Sequence, residues 1–174
     1  MNYSPDGKYL AVGSHDNNIY IYETQNYTLA GTLKGHNSFI VSVDWSQDGK
    51  YIRSVCGAHE LLFFLIEGFT QDKSGATNTV GTIWANNGAK YGWLVDGIIP
   101  AGEDGTHING VDFSKDGQLI ATADDYGLVN IFRNPARNGN TPISLRGHSE
   151  HVVRVKFQSD NRLFSVGGYD QTLI

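Results

Sequence analysis

A single cysteine, Cys56, excludes an internal disulfide and fits a reducing, cytoplasmic setting. No apolar run reaches the length of a membrane span, and the start, Met-Asn-Tyr-Ser-Pro-Asp-Gly, has neither the basic nor the apolar stretch of a signal peptide. Lys and Arg are scarce and scattered, 13 against 18 acidic residues for a formal charge of −5. Without a basic cluster there is no electrostatic footprint for a nucleic acid backbone or an anionic membrane, so neither is expected as a partner. Helical periodicity is missing as well. The 21 glycines are plentiful, and they are spread along the chain as many short strands with tight turns require.

The same phrase recurs. Ser4-Pro-Asp-Gly-Lys-Tyr-Leu-Ala-Val-Gly-Ser returns at Ser46-Gln-Asp-Gly-Lys-Tyr-Ile-Arg-Ser and at Ser114-Lys-Asp-Gly-Gln-Leu-Ile-Ala-Thr-Ala. A worn copy stands at Gln158-Ser-Asp-Asn-Arg-Leu-Phe-Ser-Val-Gly-Gly. Asp6-Gly7, Asp48-Gly49 and Asp116-Gly117 are hairpin signals, because Gly reaches φ > 0 without a Cβ clash. Alternating strands flank them, such as Val41, Val43 and Trp45 before one turn, and third strands follow at Ile19–Tyr22, Leu61–Phe64 and Val129–Phe132. At least about 45 per cent strand and almost no helix are expected.

The period is 42 residues from Ser4 to Ser46 and 44 from Phe113 to Phe157. The interval from Ser46 to Ser114 is 68, one repeat plus roughly 24–26 residues. Gly35-His36 and Gly147-His148 each stand nine residues before a strand-ending aromatic, Trp45 and Phe157. Period and Gly-His dipeptides together resemble WD40 repeats, four strands to a blade. The expected fold is all-β, a partial WD40-type β-propeller of about four blades. The blade segments are approximately 1–22, 23–66, 67–132 with an atypical insertion at about 67–105, and 133–174.

In WD40 blades the Gly-His imidazole meets an Asp in the turn before the third strand, within a buried polar network. His148 and Asp170 have that spacing, and Asp16 and His36 are the further network members. Counting the same distance from His36 reaches Ala58, so the second blade is expected to have lost its acid. Tyr22, Phe64 and Phe132 stand where a Trp closes such networks.

A narrower resemblance lies in the long interval. Trp84, Gly92, Gly97 and Pro100, then Asp104-Gly-Thr-His-Ile-Asn109, resemble the second propeller of the tandem atypical propeller region in the echinoderm microtubule-associated protein-like family. Ala121-Thr-Ala-Asp-Asp-Tyr126 and Val166-Gly-Gly-Tyr-Asp170 extend the likeness. Gly57-Ala58 replaces the family's usual Gly-Asp, and Ile99 its Trp. The resemblance implies a cytoplasmic, cytoskeleton-associated scaffold whose partners are proteins, tubulin or microtubules among them. A generic WD40 adaptor for another peptide or domain is the alternative.

Nothing in the sequence points to catalysis, a cofactor or a metal. His148 and His151 lie three apart in a loop without a second pair, whereas zinc needs three or four convergent ligands. Cys56 and His59 could be drawn as nucleophile and base, but Cys56 falls on an apolar strand. Asp124-Asp125 sits in a turn that such residues cap. Partner binding is instead placed on loops carrying His15, Phe39, His59, Tyr126, Glu150, His151 and Tyr169, since aromatics there suit binding surfaces. The chain begins at the strand before a turn and stops within a third strand. Open blade edges are therefore expected to pair two copies, as a homodimer closing a ring of about eight blades.

Overall fold

In a computed structural model describing residues 1–159 and 162–174, three Ser-X-Asp-Gly motifs build one and the same turn. The Gly7, Gly49 and Gly117 amides donate to the Ser4, Ser46 and Ser114 carbonyls at 2.9, 3.0 and 2.9 Å. Each Gly has φ near +70°, at 72°, 71° and 68°. Each Ser hydroxyl donates to the Asp two residues on, at 2.6, 2.7 and 2.6 Å, locking a turn that only Gly enters without strain. The worn fourth copy has its Asp160-Asn161 outside the described residues.

The fold is all-β, of the propeller type, in four antiparallel sheets. The chain divides into two compact units, Met1–Ala89 and Lys90–Ile174. In the first, β1 (Asn2–Tyr3), β2 (Tyr9–Gly13), β3 (Ile19–Glu23) and β4 (Leu29–Leu33) pair in sequence order. So do β5 (Ile40–Trp45), β6 (Tyr51–Cys56), β7 (Leu61–Leu65) and β8 (Thr70–Gln71). Ile19 and Ile21 are buried while Tyr20 and Tyr22 between and after them are half-buried, the period-2 alternation that lets one face join a core. That core holds Ala11, Leu33, Val43, Trp45, Ile52 and Phe64. The Trp45 indole donates to the Asn2 carbonyl at 3.0 Å and the Asn2 amide donates to the Val43 carbonyl at 2.7 Å, tying the two sheets.

In the second unit β9 (Ile108–Phe113), β10 (Leu119–Asp124), β11 (Leu128–Arg133) and β12 (Ile143–Arg146) form one sheet, and β13 (Val152–Phe157) with β14 (Leu163–Gly167) another. Ala121, Ala123 and Val129 pack on Val152, Val155 and Phe157. Asn109 donates to the Val152 carbonyl at 3.0 Å, the counterpart of the Asn2 tie.

In the first three sheets a fourth strand hydrogen-bonds to the third before it, so these sheets end at Leu33, Gln71 and Arg146, later than the sequence segments 1–22, 23–66 and 67–132. Strand content stays below the expected 45 per cent, because residues 72–107 hold only loops, one bridge at Trp84 and a four-residue helix, α1 (Gly75–Asn78). Thr70–Gln71, within the insertion expected at about 67–105, instead pair with β7 as β8. Among the described residues no helix is long and apolar enough to cross a membrane.

Candidate functional site

The loops before the third strands share one backbone device. Asn17, His59 and Gln171, at φ 71°, 63° and 52°, and Gly127 at 75° all take the left-handed conformation near the end of the loop. Asn favours that region and Gly enters it freely, whereas His and Gln are held there by the loop. The residue before each is Asp16, Ala58, Tyr126 or Asp170, so the same turn presents an acid in two blades and Ala or Tyr in the others.

In the last blade His148 Nδ1 lies 2.8 Å from Asp170 Oδ2, and Nε2 lies 2.8 Å from Ser165 Oγ. The Ser149 amide donates to the same carboxylate at 3.3 Å, and Thr172 Oγ1 is 2.9 Å from His148 Nδ1. Burial pushes the Asp170 carboxyl up, but hydrogen bonds from Thr172 and His148 outweigh it and hold the group below the usual carboxylate range.

The second blade corrects the expectation of a lost acid. His36 Nε2 lies 2.6 Å from Ser54 Oγ, as His148 does from Ser165. Its acid is Glu60, two residues beyond Ala58, with Oε2 3.5 Å from His36 Nδ1. Glu60 accepts the Asn37 amide at 2.9 Å, as Asp170 accepts that of Ser149, and it also takes the Asn37 side chain and the Cys56 thiol, the latter at 3.2 Å. The Asn37 amide, then its side chain, then the thiol bring the Glu60 carboxyl down to about 2. Burial lowers His36, against the pull of Glu60. A longer side chain reaches from later in the loop, which counting residues from His36 to an Asp could not reveal.

Asp16 joins no histidine among the described residues. It is exposed and accepts the Tyr20 hydroxyl, which with Ser14 and Asn18 brings it down to about 2. Asp124 caps its turn, accepting the amides of Tyr126 and Leu128 at 2.9 Å and the Asn130 side chain at 2.9 Å.

The other loop residues sort into ring pairs. His15 stacks on Phe39 at 5.1 Å in the first unit. In the second, His151 meets Tyr169 edge-on at 5.4 Å and lies 3.6 Å from Glu150. Tyr126 pairs with His107 at 5.6 Å. Tyr126 is 70% and Tyr169 85% exposed, so their rings offer most of their area to solvent. His59 occupies the left-handed turn position. Sequence reading missed His107, although it stands 44 residues before His151, one repeat earlier.

It also missed two buried carboxylates one residue before the strand-ending aromatics. Asp44 accepts the amides of Gly88 and Ala89 at 2.8 and 3.0 Å and Arg53 Nε at 3.0 Å. Asp112 accepts the Phe157 amide and Lys156 Nζ, each at 2.7 Å. Burial pushes Asp44 up while Arg53 and the two amides pull it back. Asp112 grips the strand of the next blade. Asp44 grips residues 88–89, so this stretch of the insertion stands where an inner strand would.

The chain matches a family model described as the echinoderm microtubule-associated protein second beta-propeller over residues 1–174. It is 71% identical to the ciliary WD repeat-containing protein ctxp80 of Euplotoides octocarinatus, covering 100% of this chain and 24% of that protein. It is 40% identical to the 77 kDa echinoderm microtubule-associated protein of Lytechinus variegatus, over 99% of this chain and 27% of that one. Human echinoderm microtubule-associated protein-like 1 is 39% identical, over 100% and 22%. The chain thus spans about a quarter of the length of these relatives. Among solved structures, the β-propeller domain of Cps50 (Swd1) from Myceliophteria thermophila superposes with a TM-score of 0.65 at 13% identity, over 95% of this chain and 62% of that one, a likeness of fold. Matched by the family model along its whole length and 40% identical to a member over 99% of it, the chain belongs to the echinoderm microtubule-associated protein family.

Proposed function

We propose that this chain is a protein-binding scaffold, without catalysis of its own, in a microtubule-associated protein, and that its loops contact tubulin. The carrying observation is the family match over residues 1–174, with relatives whose names describe microtubule-associated proteins. The site chemistry agrees. Tyr126, Tyr169 and Phe39 are rigid, partly or largely exposed rings, the residue type that anchors protein interfaces, and His and Glu side chains flank them. Asp124 is fully engaged in capping, which argues against the Asp124-Asp125 pair as acid and base.

The net charge of −5 favours a contribution made by short-range contacts rather than long-range attraction to an acidic partner. The same charge is the ground for the second reading, an adaptor for a peptide or domain other than tubulin. Co-sedimentation with taxol-stabilised microtubules separates the two. The full-length gene product should pellet, and the double variant Tyr126→Ala, Tyr169→Ala should pellet less at unchanged folding. A full-length product that stays in the supernatant at every microtubule concentration would leave the adaptor reading.

A further inference from the structure

We propose that His36 Nδ1, Cys56 Sγ and a Glu60 carboxylate oxygen form a binding site for one divalent transition metal ion of the zinc class. The three ligand atoms lie within 4.8 Å of one another. Tetrahedral zinc with bonds of this N, S and O type sets its ligands about 3.3–3.7 Å apart. His36 Nδ1 and Cys56 Sγ stand 3.5 and 3.2 Å from Glu60 Oε2, so little movement separates the folded loop from a coordinated one.

The second observation is the imidazole itself. Its side chain is 1% exposed, yet Nδ1 has no hydrogen-bond partner, and it faces this cluster. An unsatisfied buried nitrogen is costly, and a metal ion would satisfy it. A metal at Nδ1 requires the ring proton on Nε2, where Ser54 Oγ stands 2.6 Å away to accept it. Asn37 orients Glu60 through its amide and its side chain. Partners that fix the tautomer and aim the carboxylate are the usual support of a metal ligand.

The last blade shows what has changed. By strand register Cys56 pairs with Ile40 as Gly167 pairs with Val152. A side chain at Gly167 would overlap the Asp170 carboxylate. In the second blade, therefore, a thiol takes the space of the acid, and the acid arrives from Glu60. The exchange turns a His–Asp hydrogen bond into a set of sulfur, nitrogen and oxygen donors, which suits zinc or cobalt and not magnesium or calcium. Glu60 is 28% exposed, giving the ion a way in and leaving a fourth position for water. Binding displaces the Cys56 proton to solvent, so affinity falls in acid.

Cobalt(II) titration of the reduced chain tests this, because thiolate coordination produces a sulfur-to-cobalt charge-transfer band in the near ultraviolet. The band should saturate at one cobalt per chain and vanish on adding zinc. It should be absent in Cys56→Ala, persist in His148→Ala, and need about 10–100-fold more metal in Ser54→Ala. Zinc should also raise the melting temperature of the unsubstituted chain, reversibly with chelator. No charge-transfer band in the unsubstituted chain overturns the proposal whatever the variants do, and so does a band that survives in Cys56→Ala.

Discussion

His36 and His148 open equivalent loops, but their second nitrogens meet different surroundings. His148 Nδ1 is 2.8 Å from a carboxylate that is itself nearly buried, whereas His36 Nδ1 has no hydrogen-bond partner. Replacing His148 by Ala strands Asp170 and Ser165, so it should cost about 1–3 kcal/mol. His36→Ala should cost less in the presence of chelator, since it loses the Ser54 hydrogen bond and only a longer 3.5 Å contact with Glu60. Urea melts of the two variants check this, and equal destabilisation would contradict it. Glu60 adds a pH dependence of known sign. Its folded pKa of about 2 lies below its ordinary value of about 4.3, so its stabilisation is full above the latter and disappears as pH falls through the former. Glu60→Gln should therefore be less stable than the unsubstituted chain at pH 6, with the gap narrowing as pH falls toward 2. Chelator-treated denaturation curves across that range make the comparison, and a gap that does not narrow on acidification would count against the assignment.

Among the elements, the turns and the insertion use glycine for different reasons. Gly49 needs its φ of 71°, and a Cβ there would meet nothing within 4 Å. Gly49→Ala should cost about 1–2 kcal/mol, the penalty of a left-handed alanine. Gly97 has no such φ, but a Cβ would overlap the Arg137 backbone, and its amide donates to the Ala136 carbonyl at 2.9 Å. Gly97→Ala should destabilise the second unit more than Gly49→Ala destabilises the first, by calorimetry of each variant. Trp84 has its own role, with Arg53 stacked 4.4 Å from its ring and a bridge to Ser46. These contacts fix Trp84 against β6 and the turn after β5.

For the molecule as a whole, β13 and β14 leave Val153, Phe164 and Val166 exposed, the segment after β14 exposes Leu173 and Ile174, and the edge strand β12 exposes Ile143 and Leu145. Such edges pair with other chains, and apolar area of this kind is seldom left in water. Light scattering of the 174-residue chain should show self-association that grows with concentration in the micromolar range. Ile143→Lys with Phe164→Lys should reduce it, by placing charge on the edge and on the exposed sheet face. A monomer at every concentration would remove the homodimer expectation.

The all-β class, the hairpin turns and the family were legible in sequence, because each rests on local chemistry repeated at a fixed period. An Asp-Gly needs only its neighbours to turn, and alternation needs only the strand. The site was half legible. His148 and Asp170 could be paired by counting, since their loop keeps its length. Glu60, Cys56 and His36 come together only in three dimensions, where a reach of one extra methylene replaces two residues of spacing. Asp44 and Asp112 likewise look like ordinary strand-face acids until the next stretch of backbone arrives with its amides. Periodicity fixes which face a side chain takes, but a partner contributed by a distant segment depends on how the sheets pack, and that only the tertiary structure decided.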